Sequence, residues 1–154
     1  AAAADAAPAG FPARRRNAYT VFSEQTALLT AFHGNARERV IRFCTGFLDA
    51  FFEHIAIARL IYSIYFGPPQ GAPPFPHEKF FDEMLEIIRG MVREGIASGE
   101  LPDVDEWDAA WALISILNTI MEEQLCRIPP RTDRQGLERM LNLIFNGIGQ
   151  GAGK

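Results

Sequence analysis

The sequence predicts an all-α fold, and three observations carry that prediction. Apolar residues recur at the three- and four-residue spacing of a helix face, most clearly over 76–98 and 133–148. No stretch alternates apolar and polar residues as a half-buried strand does. Glycine and proline divide the chain into segments of helical length. At 154 residues the chain is long enough for one domain with a sizeable core.

The first three predicted helices cover 23–32, 36–54 and 55–66. The first ends before Gly34, because glycine suits a helix C-terminus. A strand is the alternative for 55–66, but twelve residues without alternation favour a helix. Segment 67–74 contains four prolines and is therefore a predicted loop.

Three more helices complete the chain. The fourth, 76–98, has apolar residues on one side and charged residues on the other, and it ends at Gly99. The fifth begins at the predicted N-cap Asp105 and reaches about residue 127, before two consecutive prolines. The sixth covers 133–148, with one apolar stripe.

Charge is unevenly distributed. The net charge is −4, made up of +1 over residues 1–32 and −5 over the rest. An acidic body excludes nucleic acid from most of the surface, so any DNA contact is predicted at the N-terminal end. Cys44 and Cys126 are isolated in sequence, which is typical of a reducing, intracellular compartment.

Neither an enzyme nor a membrane protein is indicated. The three histidines are scattered, with no metal-ligand spacing, and no nucleophile motif is present, so we expect no catalysis, metal or cofactor. The adjacent pair Glu122 and Glu123 is interpreted as a solvated helix end. The longest uncharged run, 109–121, is thirteen residues, too short to cross a bilayer.

The fifth helix predicts an assembly. Residues 109–121 are apolar or small on every side, and such a helix must be covered on every side. Pairing of the last two helices with the same two of a second copy would form a four-helix bundle. The alternative is a central core helix of a monomer. The predicted interface residues are Trp111, Ser115, Asn118, Leu137, Met140, Leu141, Ile144 and Phe145.

Aromatic side chains predict a cavity between the second, third, fourth and fifth helices. Such a lining suits an apolar or aromatic small molecule, and the absence of a buried charge cluster argues against a strongly ionic one. The alternative is that these side chains form an ordinary core. The predicted lining residues are Phe47, Phe51, Tyr62, Phe66, Phe81, Met84, Ile88 and Trp111.

The segment 14–29 resembles a known family. Tyr19, two variable positions and Phe22 are followed by Ser23 in a turn and by a helix that opens on two leucines. This order is similar to the end of the recognition helix and the start of the next helix in TetR-type transcriptional regulators. Ala18 and Gln25 depart from the family pattern, which has a larger apolar residue and a lysine there. The helix order of the remaining chain resembles the family's ligand-sensing domain.

The resemblance implies a cytoplasmic, dimeric, ligand-responsive repressor whose effector weakens operator binding. Residues 1–22 would be the remnant of a helix-turn-helix domain and 23–154 the ligand-binding and dimerisation domain. We expect the first two DNA-binding helices to be missing or unrecognisable, and the chain as given to bind DNA weakly. The alternative function is a stand-alone helical binding or dimerisation module, with the arginines a solvated tail. The DNA-contacting residues that the resemblance implies are Arg14, Arg15, Arg16, Asn17, Tyr19 and Thr20.

Overall fold

The computed structural model describes residues 23–24, 26–65 and 77–147, and within them all regular structure is helical. The all-α prediction is confirmed. The first helix, α1, comprises the helical residues 23–24 and 26–30. The others are α2 (Ala36–Glu53), α3 (Ile55–Tyr65), α4 (His77–Ala97), α5 (Glu106–Cys126) and α6 (Arg134–Asn146).

Side-chain caps set the starts of three helices. The Asp105 carboxylate accepts hydrogen bonds from the backbone N–H groups of Trp107 and Asp108, at 2.8 and 3.0 Å, which confirms the predicted cap. Asp133 caps α6 in the same way. Asn35 begins α2 with a reciprocal capping box to Glu38.

The hydrophobic core lies between α2, α4, α5 and α6. Helix α5 contacts the other three and buries one face completely in this core. Phe43, Phe47 and Phe51 line the inner face of α2 and are almost wholly buried. The buried residues of α5 are Ala110, Leu113, Ile114, Leu117, Ile120 and Met121.

An ion cluster fastens the end of α4 to the start of α5. The Nε atoms of Arg89 and Arg93 each donate to a Glu106 carboxylate oxygen at 2.7 Å. These hydrogen bonds, from Arg93 first and Arg89 second, lower the pKa of Glu106 to about 2. The Arg89 guanidinium also lies 4.1 Å from the centre of the Trp107 ring. The two helices are therefore held at their connected end, and their other ends define the candidate site.

Candidate ligand cleft and dimer face

A cleft of about 450 Å³ lies beside the first half of α4. Its walls come from α2, α3, α4 and α5, the region in which aromatic content predicts a cavity. The volume is that of a small-molecule site. The lining residues are Phe47, Tyr62, Glu78, Phe80, Phe81, Asp82, Met84, Trp111, Asn118, Met121 and Glu122.

The structure brings most of the predicted lining residues together. Phe47, Tyr62, Phe81, Met84 and Trp111 line the cleft. Phe51 and Ile88 are 2% and 0% exposed and pack in the core. Each lies one turn along its helix from a residue that lines the cleft, Phe47 on α2 and Met84 on α4. Phe66 lies outside the described residues.

Aromatic pairs form the two sides of the cleft. The Phe81 and Trp111 ring centroids are 5.4 Å apart at 44°, which joins α4 to α5. The Phe47 and Phe80 centroids are 6.0 Å apart, which joins α2 to α4. Such tilted pairs are favourable ring contacts. Trp111 remains 48% exposed, so one part of its ring packs and another part is accessible.

Three acidic residues of the cleft are missed by the sequence reasoning. Asn118, predicted at the dimer interface, is half-buried and lines the cleft. Glu78, Asp82 and Glu122 are solvated charges by their sequence pattern, and they form part of the lining. The spacing of Glu78 and Asp82, four residues apart on the flank of the apolar stripe, is the available signal.

Tyr62 contributes a hydroxyl to the aromatic wall. Burial raises its pKa, and the charges of Glu122 and Cys126 raise it further. The phenol is therefore held in its neutral form, able both to donate and to accept a hydrogen bond.

A second cleft, of about 840 Å³, lies between α1 and the first half of α4. It is lined on α1 by Thr26, Ala27 and Thr30. Phe80 and Met84 line both clefts, so this part of α4 separates them. A displacement of α4 at one cleft would therefore change the position of α4 relative to α1 at the other cleft.

The last two helices expose a face with little charge. Opposite its buried face, α5 exposes the small residues Ala112, Ser115 and Thr119. On α6, Met140 and Leu143 are 40% and 51% exposed. They lie on the side of α6 away from α2, because Arg134 and Asn142, roughly half a turn around the helix, bond to α2.

The predicted interface residues divide between this face and the core. Ser115 and Met140 are exposed. Leu137 and Leu141 are 0% exposed within a single chain, so their side chains are covered without a partner. Ile144 and Phe145 are partly buried against the same core. Most of the apolar stripe of α6 is thus buried within its own chain. Trp111 lines the cleft.

The remaining sequence predictions concern DNA contacts, metal ions and membrane spans. The proposed DNA-contacting residues, Arg14–Thr20, are not among those described. In the described ranges, no group of histidine, cysteine and acidic residues could hold a metal ion. None of the described helices has the length and hydropathy to span a bilayer.

Comparison with known proteins identifies the fold. The chain is similar to the crystal structure of PfmR, a TetR family transcriptional regulator from Thermus thermophilus. The TM-score is 0.68 with 18% sequence identity, and the match covers 88% of this chain and 73% of that one. No protein-family model matches the chain, and no curated protein does. The chain therefore has a TetR-like all-α fold, and the solved protein that it resembles is a regulator rather than an enzyme.

Proposed function

We propose that this chain is the effector-binding and dimerisation part of a transcriptional regulator of the repressor type. Residues 23–154 would form that domain, and 1–22 the end of a helix-turn-helix domain that reads operator DNA in the cytoplasm. The observation that carries the proposal is the aromatic cleft against α4, in a fold similar to a TetR family regulator.

The two clefts would link effector binding to DNA binding through helix α4. A ligand that fills the cleft contacts Phe80 and Met84, which also line the space between α4 and α1. Helix α1 follows residue 22, where the DNA-binding segment is proposed to end. An effector that favours one position of α4 would favour one position of α1, since a ligand shifts an equilibrium only by its differential affinity.

Dimerisation is proposed through α5 and α6. The exposed small residues of α5 permit close approach of a second helix, and Met140 and Leu143 offer apolar contacts beside them. Two copies of this face would pack as an isologous four-helix bundle. A stable interface of this kind buries about 800 Å² on each subunit.

The proposal is tested by three linked measurements on the full-length protein that carries this sequence. Native mass spectrometry of the purified protein should detect a bound small molecule, and calorimetry should confirm that it rebinds after removal. Selection from a random-sequence DNA pool should yield a near-palindromic operator, because a dimer reads two half-sites. Addition of the molecule should weaken operator binding.

Two results would contradict the proposal in different ways. Failure to select any DNA sequence, with the ligand still bound, would indicate the stand-alone binding module instead. Selection of DNA whose affinity no small molecule changes would leave a regulator without an effector in this cleft.

A further inference from the structure

We propose that the cleft selects a flat aromatic cation over a neutral or anionic molecule of the same shape. This inference rests on the proposed function, which makes the cleft an effector site, and adds the charge class of the effector. It replaces the sequence-based expectation against an ionic effector, because that expectation considered only buried charges and these carboxylates are exposed. Five aromatic residues give the cleft its shape: Phe47, Tyr62, Phe80, Phe81 and Trp111.

Three exposed carboxylates line the cleft, and they come from two helices. Glu78 and Asp82 lie four residues apart on one side of α4, and Glu122 lies on α5. No lysine or arginine is among the described lining residues. None of the ion pairs formed by described residues includes any of these three carboxylates, and neighbouring Lys79 is paired with Glu83 at 3.6 Å. The described lining therefore carries three acidic and no basic side chains, a formal charge of −3.

Helix stability does not explain this arrangement. A carboxylate in the first helical turn is favoured by the helix dipole, which accounts for Glu78. Asp82 lies beyond the first turn of α4, where this effect has faded. Glu122 lies near the C-terminal end of α5, where the dipole favours cations. The helix dipole thus accounts for only one of the three carboxylates.

The negative potential reaches the aromatic wall. The charge of Glu122 raises the pKa of Tyr62, after the larger effect of burial. Arg59 lines a neighbouring cleft together with Tyr62 and Glu122, but no ion pair joins Arg59 to that carboxylate. A cation between the carboxylates and the rings would lower their mutual repulsion.

Trp111 offers the ring on which such a cation would lie. One turn earlier on α5, the Trp107 ring holds the Arg89 guanidinium at 4.1 Å. No described cation occupies the Trp111 ring, which packs on Phe81 at one side and is 48% exposed. The same helix thus holds a protein cation at one tryptophan, whereas the other tryptophan lines the cleft with an accessible ring.

The test uses three probes with one ring system: 10-methylacridinium, acridine and acridine-9-carboxylate. At about pH 8 they are cationic, neutral and anionic. Isothermal titration calorimetry with the full chain should show the cation binding about tenfold or more tightly than acridine, and the anion most weakly. Added salt should weaken binding of the cation and leave acridine unaffected.

Variants assign the preference to the carboxylates. Glu78→Gln, Asp82→Asn and Glu122→Gln should each weaken cation binding about two- to fivefold, and the triple variant should abolish the preference over acridine. Asp103→Asn, the same charge change in the exposed loop between α4 and α5, should leave all three affinities unchanged. Circular dichroism checks the fold of each variant, and the single variants suffice if the triple variant does not fold.

The outcomes separate this inference from the proposed function. Equal binding of cation and acridine, or a preference that survives the triple variant, would overturn the charge class and leave the cleft as an effector site. Absence of binding by all three probes and by any co-purified molecule would overturn both.

Discussion

The exposed side chain of Leu143 provides a quantitative test of the proposed dimer. Full burial of a leucine side chain stabilises by about 1.5–3 kcal/mol. Leu143 is 51% exposed in a single chain, so burial by a partner would contribute about half of this, roughly 0.8–1.5 kcal/mol. A two-fold interface contains the residue twice, which gives about 1.5–3 kcal/mol per dimer.

Truncation to alanine should therefore raise the dimer dissociation constant roughly 10- to 100-fold. Leu143→Glu should raise it further, because it also places an unpaired charge in the interface. Ile144→Glu is less suitable, since Ile144 packs against the core of its own chain and its loss would unfold the monomer as well. Sedimentation velocity over a micromolar concentration series measures the association of each variant.

The matched control is Leu28→Glu. Leu28 is 70% exposed on α1, and it receives the same substitution away from α5 and α6. This variant should dimerise like the parent protein. The reasoning is refuted if the parent protein is a monomer at micromolar concentration, or if folded Leu143→Glu dimerises with the parent affinity.

Four further predictions concern stability, pH and binding. Leu117→Ala should lower the free energy of unfolding by about 2–5 kcal/mol in urea denaturation, because Leu117 is fully buried; a loss below about 1 kcal/mol would contradict its core position. The pKa of Glu106 is lowered, so the stability that this residue confers should be present above its ordinary pKa of 4.5 and be lost as pH falls towards about 2. Glu106→Gln should therefore flatten this part of a curve of unfolding free energy against pH. Arg93→Gln should flatten it in part. Phe47→Trp should weaken effector binding in calorimetry without unfolding the chain, at a stability cost of about 1–3 kcal/mol, and unchanged affinity would place the effector elsewhere. Replacement of Arg14–Arg16 by alanine in the full-length protein should weaken operator binding and lower the salt slope by about one per lost phosphate contact, whereas an unchanged slope would make the arginines a solvated tail.

Local sequence determined most of the helices. The apolar period over α4 and the polar residues between its members specify one buried face, and burial of Ile88 and Val92 follows from that period alone. Asp105 marks the start of α5 because a carboxylate can satisfy the free N–H groups of a first turn. Gly99, at a φ of 77°, ends the preceding helix for an equally local reason.

Composition also predicted part of the candidate cleft. Aromatic residues on the helices that form the walls predicted a cavity there, and Phe47, Phe81 and Trp111 do line it. Glu78 and Glu122 are exposed, as their place off the apolar stripe predicted, but the helix period does not show that they also line a cleft. Whether a flanking residue faces water or a neighbouring wall depends on how the helices are placed, and that is a tertiary property.

The interface residues show the same division. The stripe of α6 predicted that Leu137 and Leu141 would be covered, and they are, by α2 and α5 of the same chain rather than by a partner. Sequence alone determined that these side chains leave water, since burial of apolar surface is favourable whatever covers it. Only the tertiary structure decided what covers them, because packing uses some apolar surface within the chain and leaves Met140 and Leu143 outside.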